Sequence, residues 1–205
     1  MLVSGSGTNL QAILDDLDGH DGIEVVAVAS SKPGVRALDR ARVAGVDAAV
    51  FEASGQTGRE QRDREMADWI EARGADLVVL AGFMQLLTPA FLERFENRVI
   101  NVHPALLPAF PGVHPVEDQV AYGVKVSGVT VHFVDRGVDT GPIILQEAVP
   151  LPYTREPEQV RELLHQVEYR LLPRAIRLMA LDAVRLDRDN RRLVHVDESR
   201  LEEKV

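Results

Sequence analysis

"DLVVLAG", residues 76–82, decides the fold. Leu77 to Ala81 are apolar without a break, so the segment has no polar face to offer solvent. A strand of this kind is buried on both sides, which is the habit of parallel sheets covered by helices. Working outward, "MLVS" (1–4), "IEVVAVAS" (23–30) and "AAVF" (48–51) precede it, and "NRVINVH" (97–103) comes after it. Helical spacing fills the intervals, over about 8–18, 35–45, 58–73 and 88–95. This βαβα order predicts an α/β fold with an open, mostly parallel, Rossmann-like sheet flanked by helices. The first strand has about three residues before Ser4, where central strands have about five or six. Such a short strand fits a natural chain that begins upstream of Met1.

The pattern changes after residue 110. "VKVSGVTVHFV" (124–134) alternates, and "GPIILQEAVPL" (141–151) comes after a short turn-rich loop. These two segments predict an antiparallel pair added to the sheet. A helix is expected over about 157–181, with Val160, Leu163, Leu164, Val167, Leu171 and Leu172 on its apolar stripe. Pro173 should kink or split it. A terminal hairpin over about 184–196 turns at Asp189 and Asn190, and "DESRLEEKV" reads as a frayed tail.

The 205 residues carry 23 Lys and Arg against 32 Asp and Glu, a formal charge of −9. A broad nucleic-acid surface needs the opposite sign, so none is expected. A small anionic ligand remains compatible, because a local site can be positive on an acidic protein. Cysteine is absent, which excludes disulfides, thiol catalysis and thiolate metal sites. The N-terminus lacks the basic and apolar regions of a signal peptide, and no apolar run reaches the roughly 20 residues of a membrane span. The expected location is the cytoplasm.

"SGSGTNL" (4–10) comes directly after a strand and opens a helix, so it turns backbone N–H groups and a helix N-terminus toward one side. Gly5 and Gly7 permit close approach, and Ser6, Thr8 and Asn9 add polar groups. A dinucleotide fingerprint needs glycine at position 10, where Leu10 stands, and an acid near position 30, where Ser30, Ser31 and Lys32 stand. No GK[ST] comes after it either. A phosphate monoester therefore fits better than NAD, with a plain tight turn as the simpler alternative.

"NVHPALLPAF" (101–110) places Asn101 and His103 on one face of a strand, at the carboxyl end where open α/β sheets bind ligands. The glycine loop, placed after the first strand, is expected at the same edge. Pro104 ends the strand, and Pro108 and Pro111 stiffen the loop beyond it. The turn "VDRGVDTGP" supplies Asp135 and Asp139. An amide, an imidazole and a carboxylate together suit chemistry at a carbonyl. The amide stabilises an oxyanion, the imidazole moves a proton, and the carboxylate orients and charges the imidazole. Each residue also has a structural explanation: a satisfied strand-end histidine, or aspartates that cap a turn. His114 and His132 could join His103 only without a recognised metal-ligand spacing, so no metal site is expected. His132, alternating with Thr130, is expected to line or support the site. A nucleotide-binding module without chemistry and a nicotinamide oxidoreductase are the rival classes.

"SGSGTNLQAI", "VVLAGFMQLLTPAF", "NVHPALLPAFPG" and "GVTVHFVDRGVDTGPII" together resemble the phosphoribosylglycinamide formyltransferases, the folate-dependent transformylases of purine synthesis. The resemblance runs in order along nearly the whole chain. It implies a single formyltransferase domain over 1–205, with a nucleotide-binding half (1–100), a catalytic and folate-binding half (101–181) and a C-terminal hairpin and tail (182–205). It implies formyl transfer from 10-formyltetrahydrofolate, a co-substrate, to the glycinamide amine of N1-(5-phospho-D-ribosyl)glycinamide, without metal or covalent enzyme intermediate. Asn101, His103 and Asp139 match the catalytic positions. Gly5, Ser6, Gly7, Thr8, Asn9, Gly82, Met84 and Glu168 match ribonucleotide contacts. Arg59, Met84, Gln85, Leu87, Asn101, Val134, Asp135 and Asp139 match the folate side. Gln85 replaces an arginine of that pattern, Ala105 a serine, and His165 a glutamine. Methionyl-tRNA formyltransferase resembles the chain from "NVHP" to "DTGP" but has a further domain and a basic surface. Formyltetrahydrofolate deformylase carries an added N-terminal domain. Small-molecule substrates are the expected partners, with no nucleic acid or membrane, on a monomer or homodimer.

Overall fold

The structure is a computed structural model that describes residues 1–53 and 55–202; the side chains of 55–57 are not described. Two compact units divide the chain, Met1–Asn101 and Val102–Val205. The first alternates strand and helix: β1 (Leu2–Val3), α1 (Thr8–Asp16), β2 (Val28–Ser30), α2 (Arg36–Val43), β3 (Ala48–Val50), α3 (Gly55–Glu71), β4 (Val78–Leu80) and α4 (Pro89–Leu92). Strand β5 (Val99–His103) closes it and continues into the second unit. Next come α5 (Pro115–Tyr122), β6 (Val126–Phe133), β7 (Ile143–Pro150), α6 (Pro157–Ala180), β8 (Val184–Leu186), β9 (Val194–Val196) and a 3-10 turn (Glu198–Leu201). The sheet has seven strands in the order β3-β2-β1-β4-β5-β6-β7. Strands β1 to β5 pair in parallel and β6 pairs with β7 antiparallel.

The central strands bury what their sequences require. Leu2, Val3, Val28, Ala29, Val78, Val79, Leu80, Val99 and Ile100 are all buried. Strand β3, at the edge, is exposed at both ends, as an edge strand can be. In the second unit α6 packs on β6 and β7. Val160, Leu164, Val167, Leu171 and Leu172 form its buried face, and Leu163 is half-buried.

Two local expectations need correction, and one helix stands where none is assigned. Helix α6 is not split: Pro173 lies inside one helix of 24 residues and is itself buried. An interior proline costs about 3 kcal/mol, and each large aliphatic side chain buried beside it returns about 1.5–3 kcal/mol, so packing wins. Helix α5 lies in a stretch to which the sequence reading assigns no element. Pro115 stands at its first turn with Glu117 and Asp118, an arrangement that suits both the missing proline N–H and the helix dipole. Part of the expected tail is ordered as the 3-10 turn, and residues 203–205 of it lie outside the described residues. The terminal hairpin forms as β8 and β9, paired from Val184↔Val196 to Leu186↔Val194.

Candidate active site

In the second unit, His103 ends β5 and is 4% exposed. The chain after it is held by side chains from three elements. Thr130 on β6 donates to Ala105 O at 2.6 Å and accepts from Leu107 N at 3.1 Å. Gln119 on α5 donates to Pro104 O at 2.8 Å, and Gln146 on β7 donates to Leu107 O at 2.8 Å. Ser127 Oγ in turn donates to Gln119 Oε1. This bracing brings Phe110 O to 2.8 Å from His103 Nε2. A carbonyl oxygen only accepts, so Nε2 carries the proton there and Nδ1 is the nitrogen left to react.

His103 Nδ1 faces Asp139 Oδ2 at 3.5 Å. The same carboxylate has His132 Nε2 at 3.6 Å from Oδ1 and accepts a hydrogen bond from Gly112 N at 2.8 Å on Oδ2. His132 Nδ1 in turn donates to Phe133 O at 2.8 Å. The ladder of β6 and β7 shifts register between Val131 and His132, and such an irregularity re-aims a side chain beside a site. Asp139 itself sits at φ 51°, a left-handed conformation that Asp tolerates better than most residues. Its loop is closed by Asp135 Oδ1, which accepts from Gly137 N at 3.0 Å and Thr140 Oγ1 at 2.6 Å. Gly141 leaves no alternative: a Cβ there would lie 1.7 Å from Phe133 O.

Burial lowers the His103 pKa below its usual value; Asp139 and the Phe110 carbonyl push it up by less, and His132 adds to the lowering. The expectation that Asp139 holds His103 charged is corrected to that extent, since desolvation outweighs it in the free protein. The resting imidazole is neutral near pH 7. For Asp139, burial alone would raise the pKa. The nearby His132 ring, the Gly112 N–H and the His103 ring outweigh burial, and the carboxyl titrates below its ordinary range. An anion thus stands 3.5 Å from a nitrogen that is ready to take a proton.

Asn101 is half-buried on β5, two residues before His103 and on the same strand face, in register with Leu80 of β4. Val134 and Asp135 are half-buried after β6, and Glu168 is 4% exposed on α6.

In the first unit, Gly5 and Ser6 are exposed between β1 and α1, and Gly7, at φ 69°, caps the start of α1. No acidic residue stands in the first turn of α1, so its positive end is not neutralised locally. Thr8 and Asn9 are half-buried. Arg40 of α2 donates to Ser6 O at 2.9 Å and Gln11 Oε1 at 2.7 Å, which sets a cation beside the loop. Nothing in the sequence spacing points to Arg40. Gly82, at φ 72°, and Met84 come after β4, the neighbour of β1, and Met84 N donates to Ser4 Oγ at 2.9 Å. The two loops are therefore tied together. Of the expected folate-side residues here, Gln85, Leu87 and Arg59 are half-buried and Met84 is exposed. Arg62 reaches Gln85, with Nη1 at 3.4 Å from its Oε1.

Residues 1–176 match the family model described as formyl transferase. The chain belongs to the formyl transferase family. A phosphoribosylglycinamide formyltransferase of Mycobacterium tuberculosis is 43% identical over 184 residues, 90% of this chain and 85% of that protein. The trifunctional purine biosynthetic protein adenosine-3 of Drosophila melanogaster is 42% identical over 87% of this chain, which spans only 14% of that longer protein. Among solved structures, glycinamide ribonucleotide transformylase 1 from Symbiobacterium toebii is similar with a TM-score of 0.88 and 44% identity, covering 95% of this chain and 91% of that one. The Mycobacterium tuberculosis and Symbiobacterium toebii proteins are a formyltransferase and a transformylase by name. Among the described residues, no helix is long and apolar enough to cross a membrane.

Proposed function

We propose that this enzyme transfers the formyl group of 10-formyltetrahydrofolate to the glycinamide amine of N1-(5-phospho-D-ribosyl)glycinamide in purine biosynthesis, in the cytoplasm. The observation that carries the reading is the pair His103 Nδ1 and Asp139 Oδ2, 3.5 Å apart, at the carboxyl end of a parallel strand that also bears Asn101. The names of the similar proteins support the choice of acceptor.

The amine nitrogen attacks the formyl carbon, forming a C–N bond and moving the carbonyl π electrons to oxygen. Asn101 donates a hydrogen bond to that oxygen, and a protonated His103 adds charge to the stabilisation. Asp139 makes the protonated state accessible at the moment negative charge develops, although burial disfavours it beforehand. The attacking nitrogen gives up a proton, accepted by Asp139 directly or through one water, and an equivalent proton goes to the departing folate nitrogen as its C–N bond breaks. Formylated ribonucleotide and tetrahydrofolate leave, with protons in balance.

Gly5, Ser6, Gly7, Thr8 and Asn9 take the phosphate through backbone N–H groups and the α1 N-terminus, with Arg40 contributing charge. Gly82, Met84 and Glu168 complete the ribonucleotide contacts. Arg59, Met84, Gln85, Leu87, Asn101, Val134, Asp135 and Asp139 form the folate side. The exposed Met84 and Leu86, each 55% exposed, suit a flat apolar ring system. A spectrophotometric assay with glycinamide ribonucleotide and a 10-formylated folate tests the proposal. Turnover requiring both compounds is the expected result; formyl transfer to another acceptor only, or none, overturns it.

A further inference from the structure

Arg62 and Asp63 are adjacent on α3, and both side chains are almost fully buried, 1% and 0% exposed. Neighbouring residues on a helix ordinarily diverge, so their joint burial needs a reason. The reason is the loop after β4. Arg62 Nε and Nη2 donate to Asp63 Oδ1 at 2.8 and 2.5 Å. Arg62 Nη2 also donates to Leu86 O at 3.1 Å, and Nη1 to Gln85 Oε1 at 3.4 Å. Asp63 Oδ2 accepts from Thr88 N at 2.6 Å. One buried ion pair thus fixes a side chain and two backbone groups over four residues. The anchored stretch presents Leu86, and Met84 just before it, as exposed apolar side chains, next to a strand's carboxyl end.

We propose that the Arg62–Asp63 pair is a positioning device that presets the loop of residues 85–88 for the formyl donor. The inference rests on the assignment of this loop to the folate side. A buried ion pair is a poor source of net stability, because desolvating both charges cancels most of their attraction. Its presence is better explained by geometry: a planar guanidinium donates in several fixed directions at once, which lysine cannot do. Preset loops spare the ligand the cost of ordering them.

The test compares the intact wild-type protein with Arg62→Lys and with the double variant Arg62→Met, Asp63→Leu, which removes both charges together. Steady-state kinetics give KM for each substrate, and amide exchange monitors residues 85–88 without any substrate. Both variants should raise donor KM, by about tenfold in the double variant, with ribonucleotide KM within about twofold of wild type. Exchange at Thr88, whose N–H donates to Asp63, should quicken by about tenfold or more in the double variant, while the middle of α1 stays protected. Equal rises in both KM values, or unchanged donor KM with quickened exchange, overturn the proposal. If the double variant does not fold, Arg62→Lys carries the same test. A wild-type protein without formyl transfer would refute the assigned reaction. The exchange result would then decide the pinning alone: quickened exchange supports it and unchanged exchange overturns it.

Discussion

Replacing Asp139 with asparagine isolates the charge at the centre of the site. The backbone should survive, since Asn tolerates the left-handed φ of 51° about as well as Asp. Its carbonyl can still accept from Gly112 N, now at 2.8 Å. The change removes an anion 3.5 Å from His103 Nδ1. Coulomb's law at that separation gives about 1 kcal/mol in a water-like medium and about 5 kcal/mol at an effective dielectric near 20. With the Asp139 side chain 13% exposed, solvent screens part of the interaction, which points to the lower and middle part of that range. A loss of about 3 kcal/mol corresponds to roughly 10² in rate. We therefore expect Asp139→Asn to lower kcat by about 10² or more, with a melting temperature within a few degrees of wild type. Steady-state turnover with both substrates and a thermal melt are the assays. A well-folded Asp139→Asn enzyme within about threefold of wild-type kcat would refute the reasoning.

The same geometry makes other outcomes testable. The His103 ring should titrate below the ordinary histidine value by NMR, and lower still in Asp139→Asn, because the raising influence of the carboxylate is gone; a wild-type value above 7 would contradict this. Both lowered groups bind protons more readily when unfolded, so their effects share a sign. Stability should fall as pH drops below about 6.5 on account of His103, and again below about 4 on account of Asp139; a denaturation series flat between pH 7 and 4 would count against it. At the glycine loop, Gly7→Ala should destabilise by about 1–3 kcal/mol, since its Cβ would meet Ala37 Cβ at 2.7 Å. Gly5→Ala meets nothing within 4 Å, so it should keep the melting temperature and weaken ribonucleotide binding more than folate binding; equal weakening of both would remove the loop from phosphate binding.

Much of the fold is legible in the sequence because burial on both faces leaves a plain mark, as in Leu77 to Ala81. The alternation in 124–134 likewise announces the antiparallel pair. Short elements escape. Helix α5 has eight residues after a proline-rich loop, too few turns for a periodic signal, although Pro115 and the two acids after it mark its start. Pro173 misleads because local cost is visible in sequence and tertiary compensation is not. At the site, Asn101, His103 and the Asp139 turn can be singled out by residue type and strand spacing. Gly112 N, the bracing by Thr130, Gln119 and Gln146, and the Arg62–Asp63 pair cannot, because each joins positions distant in sequence or depends on a buried orientation. The direction of the His103 shift also needs coordinates: a carboxylate nearby argues one way, and the depth of burial decides the other.

The most direct test of the chemistry is a single-turnover measurement on His103→Ala with both substrates at saturation, alongside titrations of each substrate alone. An active site built on this imidazole requires formyl transfer to slow by about 10² or more while both dissociation constants stay within about threefold of wild type. A folded His103→Ala protein that transfers the formyl group at close to the wild-type rate would contradict it.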